Sequence, residues 1–428
     1  LDYHQALKHL DGLINYEISP RAGSSGGLTL HKMRRVTELL GDPQHAYPSI
    51  HITGTNGKGS SGRMIEALLT EMGLRVGLYS SPHVFSPTER IRVAATQIDE
   101  ADFGSAIGDI ARLVAATDLE SLTWFETVTA AAFLHFANEA VEVAVIEVGM
   151  LGTFDATNVI DASVAVLTNI GLDHTDGSEG WWQSVAKEKA GIVKPGARVI
   201  VGEPSLELTE LLHAASPAAI CAPEVLSNDV AVGGRLVDIK TSRSTYSEVF
   251  VSLRGAHQGQ NSAVAIAAVE EFFAAPIDPQ IVQEALSMVT LPGRMEVVAR
   301  SPLVLLDAAH NPPGALALGR ALREEFGAIN RRFLVFGMQT GRDPKEVLEA
   351  LDVTYFDLIV TCTAPTARGV SARTLSDVAR SLNVSSEAIV DVATAMDYAL
   401  HQAEDHDLVV VAGSVTVLAA ARSVVADL

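Results

Sequence analysis

Short apolar, β-branched runs alternate along the chain with segments of helical periodicity. "PSIHIT", "RVGLYSS", "VAVIEVG", "VAVLTNIG" and "RVIVGE" read as buried strands. Between them, Phe125, Val128, Ala132, Phe133 and Phe136 share one face of a helix. Such alternation predicts an α/β fold with a mostly parallel sheet and helices on both faces. From about residue 206 to 251, Pro, Ser and Gly break up short alternating runs, which predicts a small antiparallel subsheet. A second α/β series follows "TLPGRMEVV", with strands "LVLLDAA", "RFLVFGM", "FDLIVTCTA" and "DLVVVAGS". The Pro292-Gly293 turn lies at the junction, so the expected domains are residues 1–290 and 291–428.

Length agrees with two domains, since 428 residues exceed what one compact core holds. The balance of 48% hydrophobic and 19% charged residues is that of a soluble globular protein. A net charge of −21 argues against nonspecific attachment to nucleic acid or an anionic membrane. The two cysteines, Cys221 and Cys362, have no metal-type spacing and suit a reducing compartment. Charges run through the amphipathic N-terminal stretch, unlike a signal peptide, and no 18-residue apolar run is present. The expected location is the cytoplasm.

Candidate chemistry starts with "ITGTNGKGSSGRMIEALLTEMG": an apolar strand, a glycine-rich turn, then an amphipathic helix. The glycines let backbone N–H groups approach phosphate oxygens, and the helix N-terminus favours negative charge. Lys58 would meet the β- and γ-phosphates, and the Ser60 hydroxyl would serve magnesium. The spacing is shorter than a standard P-loop, with Thr55 and Asn56 between Gly54 and Gly57 and with Gly59 between Lys58 and Ser60. The plain alternative is a turn with a solvated lysine.

Other residues cluster at predicted strand ends, where ligands bind parallel sheets. Glu147 sits inside an apolar strand, costly unless paired or metal-bound. His174 follows "TNIGLD", and Ser80 and Ser81 follow "RVGLY". Lys187, Glu188 and Lys189 read locally as a charged helix face. Asp307 and His310 lie just past "LVLL", and Arg294 lies at the domain junction, where a solvated arginine is the simpler reading.

Taken together, "HITGTNGKGS", "SSPHVFSPTERI", "LTWFE", "DATN", "LDHT", "EKAGIVKPG", "HQGQN", "LPGR" and "DAAHNP" are similar, in order and spacing, to the folylpolyglutamate synthase/dihydrofolate synthase family of the Mur ligase superfamily. The resemblance covers nearly the whole chain. It implies a P-loop-type ATPase domain followed by a Rossmann-like domain that closes on it. Thr55, Asn56, Gly57, Lys58, Gly59 and Ser60 would hold the ATP phosphates, and Asn261 would face the adenine. Ser60 and Glu147 would surround one magnesium, and Ser81, Glu147 and His174 a second. Lys189 matches a lysine that is often carbamylated, and a monovalent cation also belongs to the implied cofactors. Arg294 would reach the phosphates; Asp307 and His310 would serve the ATP and the incoming glutamate. Pro82, His83, Arg90, Trp124, Phe125 and Asp155 would border the pterin.

The implied reaction phosphorylates a folate or dihydropteroate carboxylate and joins it to L-glutamate, and the family's usual form is a monomer. The chain departs from the family where Thr153 stands in place of an arginine and Leu151 in place of a glycine, with Arg63, Arg90 and Arg92 as candidate substitutes. A second departure is "MQTGRDPKE", in which Asp343 alone matches an expected acidic–basic motif. A Mur-type ligase for other acids and amino acids, and a nucleotide-binding protein without ligase activity, are the alternatives.

Overall fold

The computed structural model describes residues 1–17, 29–172, 178–215, 220–327 and 329–425. Eight strands form the first sheet: β1 (Ser49–Thr53), β2 (Val76–Tyr79), β3 (Ile91–Val93), β4 (Thr96–Gln97), β5 (Val143–Glu147), β6 (Val164–Leu167), β7 (Arg198–Val201) and β8 (Ile220–Cys221). Their order is β4-β3-β2-β5-β1-β6-β7-β8. From β2 to β8 all neighbours are parallel, while β2, β3 and β4 pair antiparallel. β1, β5 and β6 are buried at every position, which is why they read as continuous apolar runs rather than as alternating ones.

The predicted helix face is real. The helix Trp124–Asn138 is capped by Thr123, whose hydroxyl accepts from the Glu126 N–H while the Glu126 side chain returns to the Thr123 N–H. It buries Val128, Ala132, Phe133 and Phe136. These join Tyr79, Phe103 and Ile146 in the core on that side of the sheet.

β9 (Glu224–Ala231), β10 (Gly234–Lys240) and β11 (Thr245–Val251) form a separate three-stranded sheet, ordered β11-β10-β9. Connections this short can join only antiparallel neighbours. The last sheet contains β12 (Glu296–Arg300), β13 (Leu303–Leu306), β14 (Arg332–Phe336), β15 (Leu358–Thr361), β16 (Ser386–Ala388) and β17 (Leu408–Ala412). Its order is β12-β13-β17-β14-β15-β16, parallel except for the β12–β13 edge. Two compact units result. One holds residues 1–228, 236–252 and 258–289; the other holds 229–235, 253–257 and 290–428. Among the described residues no helix is long and apolar enough to cross a membrane.

One buried ion cluster ties the helix Lys58–Glu71 to the sheet. Glu66 is 1% exposed and takes Arg63 on one oxygen and Arg92 of β3 on the other, the latter at 3.0 Å. Removing the shared carboxylate leaves two mostly buried cations side by side. Glu66→Ala is expected to cost about 3 kcal/mol of unfolding free energy, read from the denaturant midpoint at pH 7. An unchanged midpoint would show that the cluster does not hold the helix.

Candidate active site

The loop after β1 is built to present the first turn of the helix Lys58–Glu71. Gly57 is the N-cap residue and has φ of 83°, a left-handed conformation that disfavours side chains. A Cβ there would also lie 2.4 Å from Asn261 Oδ1. Asn261 is buried on the helix His257–Phe273 and donates to Gln258 Oε1 at 2.9 Å. Its carboxamide therefore packs against the loop itself.

The continuation of β6 braces the same loop. Asn169 Oδ1 accepts from the N–H groups of Thr55 (3.2 Å) and Asn56 (3.0 Å), and Thr168 Oγ1 donates to Asn56 O at 2.6 Å. Thr55 Oγ1 accepts from Gly171 N–H at 2.9 Å. The amides of Thr55 and Asn56 are thus spent on structure. The next N–H groups, from Gly57 to Ser60, start a helix, where N–H groups have no intrahelical partner, and are the candidates for a phosphate cradle. Lys58 Nζ folds back onto Gly54 O (3.0 Å) and Thr55 O (3.3 Å). The bracing roles of Thr168, Asn169 and Gly171 have no sequence signal beyond "TNIG" at a strand end.

Glu147 ends β5 and is 3% exposed. Its Oε2 accepts from Ser81 N–H at 3.2 Å and would lie 3.6 Å from a Cβ on Gly59. The carboxylate is therefore beside the start of the phosphate-loop helix, with Ser60 buried on the same turn. This oxygen donor set fits a hard divalent cation that keeps several waters. Among the described residues no three His, Cys, Asp or Glu side chains converge as a ligand cluster, and His174 lies outside the described residues. Lys187 is exposed as a surface face requires, but Lys189 is only 3% exposed, which corrects that local reading.

A second group surrounds Trp124. Arg90 is fully buried, makes a two-pronged ion pair with Glu17 (2.9 and 2.6 Å) and lies 4.4 Å above the Trp124 ring. Its Nε donates to His83 Nδ1 at 2.9 Å, and the His83 ring stacks on Trp124. Burial and then the Arg90 charge push His83 down to about 3, so it is neutral. Phe125 packs at the turn of Gly149, and Pro82 is exposed. Asp155 accepts from Met150 N–H (2.9 Å), Gly149 N–H, Thr157 N–H (3.0 Å) and Thr157 Oγ1 (2.5 Å). Four donors match the roughly four lone-pair sites of a carboxylate, so Asp155 organises its own loop. The candidate substitutes for an arginine at 153 are tied up as well: Arg63 and Arg92 to Glu66, Arg90 to Glu17.

In the second unit, Asp307 accepts from Met295 N–H (2.9 Å) and Ala309 N–H (2.8 Å) just beyond β13. Burial raises its pKa against the pull of nearby Arg294. His310 Nδ1 donates to Ala308 O at 2.7 Å, which leaves Nε2 as the acceptor of the neutral ring. Asp343 caps the helix Pro344–Leu351 by accepting from Lys345 N–H at 2.9 Å.

Residues 52–269 match the Mur ligase middle domain, and residues 293–415 match the Mur ligase glutamate ligase domain. Dihydrofolate synthase/folylpolyglutamate synthase of Mycobacterium tuberculosis is 36% identical over 92% of this chain and 89% of that protein. The chain belongs to the dihydrofolate synthase/folylpolyglutamate synthase family. Two solved relatives of this Mur ligase branch show what such folds carry. E. coli FolC in complex with DHPP and ADP superposes with a TM-score of 0.87 at 29% identity, covering 100% of this chain and 98% of that one. A bifunctional folylpolyglutamate synthase/dihydrofolate synthase with Mn, AMPPNP and L-glutamate bound gives 0.84 at 29% identity, covering 98% and 97%.

Two outcomes are expected. Gly57→Ala forces a left-handed alanine and displaces Asn261, so nucleotide affinity should fall at least about tenfold, measured by calorimetry with ADP. The second concerns acid. His51 in β1 is fully buried; its Nε2–H donates to Thr157 Oγ1 at 2.9 Å, and burial with the Lys194 charge lowers it to about 3. Unfolding restores an ordinary imidazole near 6.5, so protons favour the unfolded chain below that pH. The stability held by a neutral His51 is complete above pH 6.5 and is lost as pH falls toward 3. His51→Gln, which retains a donor, should lower the acid-unfolding midpoint; an unchanged midpoint would remove His51 from acid denaturation.

Proposed function

We propose that this chain uses ATP to activate the carboxylate of dihydropteroate or a reduced folate and joins it to L-glutamate. The observation that carries the reading is the braced phosphate loop with Glu147 buried at its helix, in a chain matched over nearly its full length by ligases of this kind. A free carboxylate does not acylate an amine in water, because oxide is not a viable leaving group. Phosphoryl transfer from ATP gives an acyl phosphate, whose leaving group is phosphate. Attack by the glutamate amine then forms the amide, with ADP and phosphate as the other products.

Each residue has a task under this reading. Helix N–H groups from Gly57 to Ser60 and the ammonium of Lys58 offset the charge of the transferring phosphoryl group. Glu147, with Ser60 and Ser81, would hold a divalent cation, which when bound screens the γ-phosphate from the substrate carboxylate. His174 joins that set in this reading, and a monovalent cation is a further component. Lys189 is the residue for carbamylation: its neutral amine adds to carbon dioxide with loss of one proton, replacing a cation with an anion. The neutral His83 ring and the Trp124–Phe125 pair would border the pterin. His310 Nε2 is the acceptor for the proton leaving the amine, as the nitrogen without a proton in the neutral ring whose Nδ1–H donates to Ala308 O. The active form would be the monomer.

ADP release should be measured with ATP, magnesium and L-glutamate, comparing dihydropteroate, tetrahydrofolate and no acceptor. At least one pterin should stimulate release, and Lys58→Ala should lower the stimulated rate roughly a hundredfold or more. Stimulation by neither pterin would sink the substrate assignment, and full activity without Lys58 would sink the phosphate-loop assignment.

A further inference from the structure

We propose that Thr153, which stands where related chains are expected to carry an arginine, is a positioning residue for Lys189. The role of Lys189 itself rests on the function proposed above; the clamp that holds it does not. Both the backbone N–H and the Oγ1 of Thr153 donate to Glu188 O, each at 3.0 Å. That carbonyl belongs to the last turn of the helix Trp181–Ala190, where its one local donor is the C-cap Gly191 N–H at 3.2 Å. Thr153 therefore acts as a C-terminal cap supplied from a distant segment, on the carbonyl immediately before Lys189.

The fit depends on residue 191 being glycine. A Cβ on Gly191 would lie 2.1 Å from Thr153 Oγ1 and 2.9 Å from its Cα, so any larger residue would push the threonine off the helix end. Asn158 closes the clamp from the other side. Its Nδ2 donates to Thr153 O (3.0 Å) and to Gly191 O (3.1 Å), and its own carbonyl accepts from Lys194 Nζ at 3.1 Å.

The clamping segment is itself fixed to the strand that precedes the phosphate loop. Thr53 Oγ1 donates to Leu151 O at 2.6 Å. His51 Nε2–H donates to Thr157 Oγ1, whose hydroxyl donates to Asp155, which in turn gathers the amides of Gly149 and Met150. β1 thus holds residues 149–158, and those residues hold the turn that carries Lys189. The short hydroxyl reaches the Glu188 carbonyl while its Cβ stays against Gly191. The Thr153 hydroxyl thus adds a second bond to the link between the phosphate-loop strand and the turn of a buried lysine.

Thr153→Val keeps shape and removes the hydroxyl, while Thr153→Ser keeps the hydroxyl. Acetylation of Lys189 by an amine-reactive reagent in buffer depleted of carbon dioxide, where a lysine carbamate reverts to the free amine, followed by peptide mass spectrometry, reads the accessibility of that amine, with the exposed Lys187 as internal control. Thr153→Val should label several-fold faster at Lys189 and unchanged at Lys187, and kcat should fall about tenfold with KM for ATP within about twofold. Thr153→Ser should restore both. Unchanged Lys189 labelling in Thr153→Val overturns the proposal whatever the activity does, and so does a loss in Thr153→Val that Thr153→Ser fails to restore. Lys189→Ala, assayed beside them, judges the other claim: full activity there removes Lys189 from the reaction and leaves the labelling to decide Thr153 alone.

Discussion

The carboxamide of Asn169 takes the amides of Thr55 and Asn56, and much of the first unit is arranged around that exchange. A loop that must offer N–H groups to a phosphate has to stop its other N–H groups from competing, and it has to stand still without a ligand. Asn169 does both from the end of the neighbouring parallel strand. Thr168 adds a hydroxyl on the Asn56 carbonyl, and Asn261 fills the space beside Gly57. The helix that starts at Lys58 is thereby aimed by contacts outside itself. Preorganisation of this kind is what electrostatic catalysis of phosphoryl transfer requires.

Much of this was legible in the sequence, for physical reasons that differ from place to place. Strands buried on both faces announce themselves as unbroken apolar runs, so β1, β2, β5, β6 and β7 were readable. The β3–β4 hairpin was not. Its turn places Ala94 and Ala95 at φ of 49° and 60°, without the Asn-Gly or Asp-Gly pair that usually marks such a turn. Arg92 on β3 contributes to that turn by donating to the Ala95 carbonyl, a compensation no local pattern reveals.

The site shows the same division. Glu147 was legible because a carboxylate in an apolar strand needs a reason. Lys189 was not legible from its neighbourhood, since Lys187 two residues earlier is solvated and the pattern of the two is alike. Only the resemblance separated them. Asp155 is the reverse case: its motif marks it as important, yet its four donors all come from its own loop. Sequence identifies such a residue as necessary without saying whether it meets a ligand or holds the part that does. Hydrogen-bond counting around the carboxylate is what distinguishes the two.

The contact between Arg90 and His83 has a consequence for molecular discrimination. Because the guanidinium occupies His83 Nδ1, the neutral ring carries its one proton on Nε2. A histidine is ordinarily ambiguous, able to give or to receive according to pH and tautomer. Here the ambiguity is removed by a cation that is itself pinned by Glu17 and by the face of Trp124. Whatever approaches the free edge of that imidazole meets a donor over the whole neutral range. An acceptor such as an oxo group pairs with that edge, whereas an amino group in the same place would set two donors against each other.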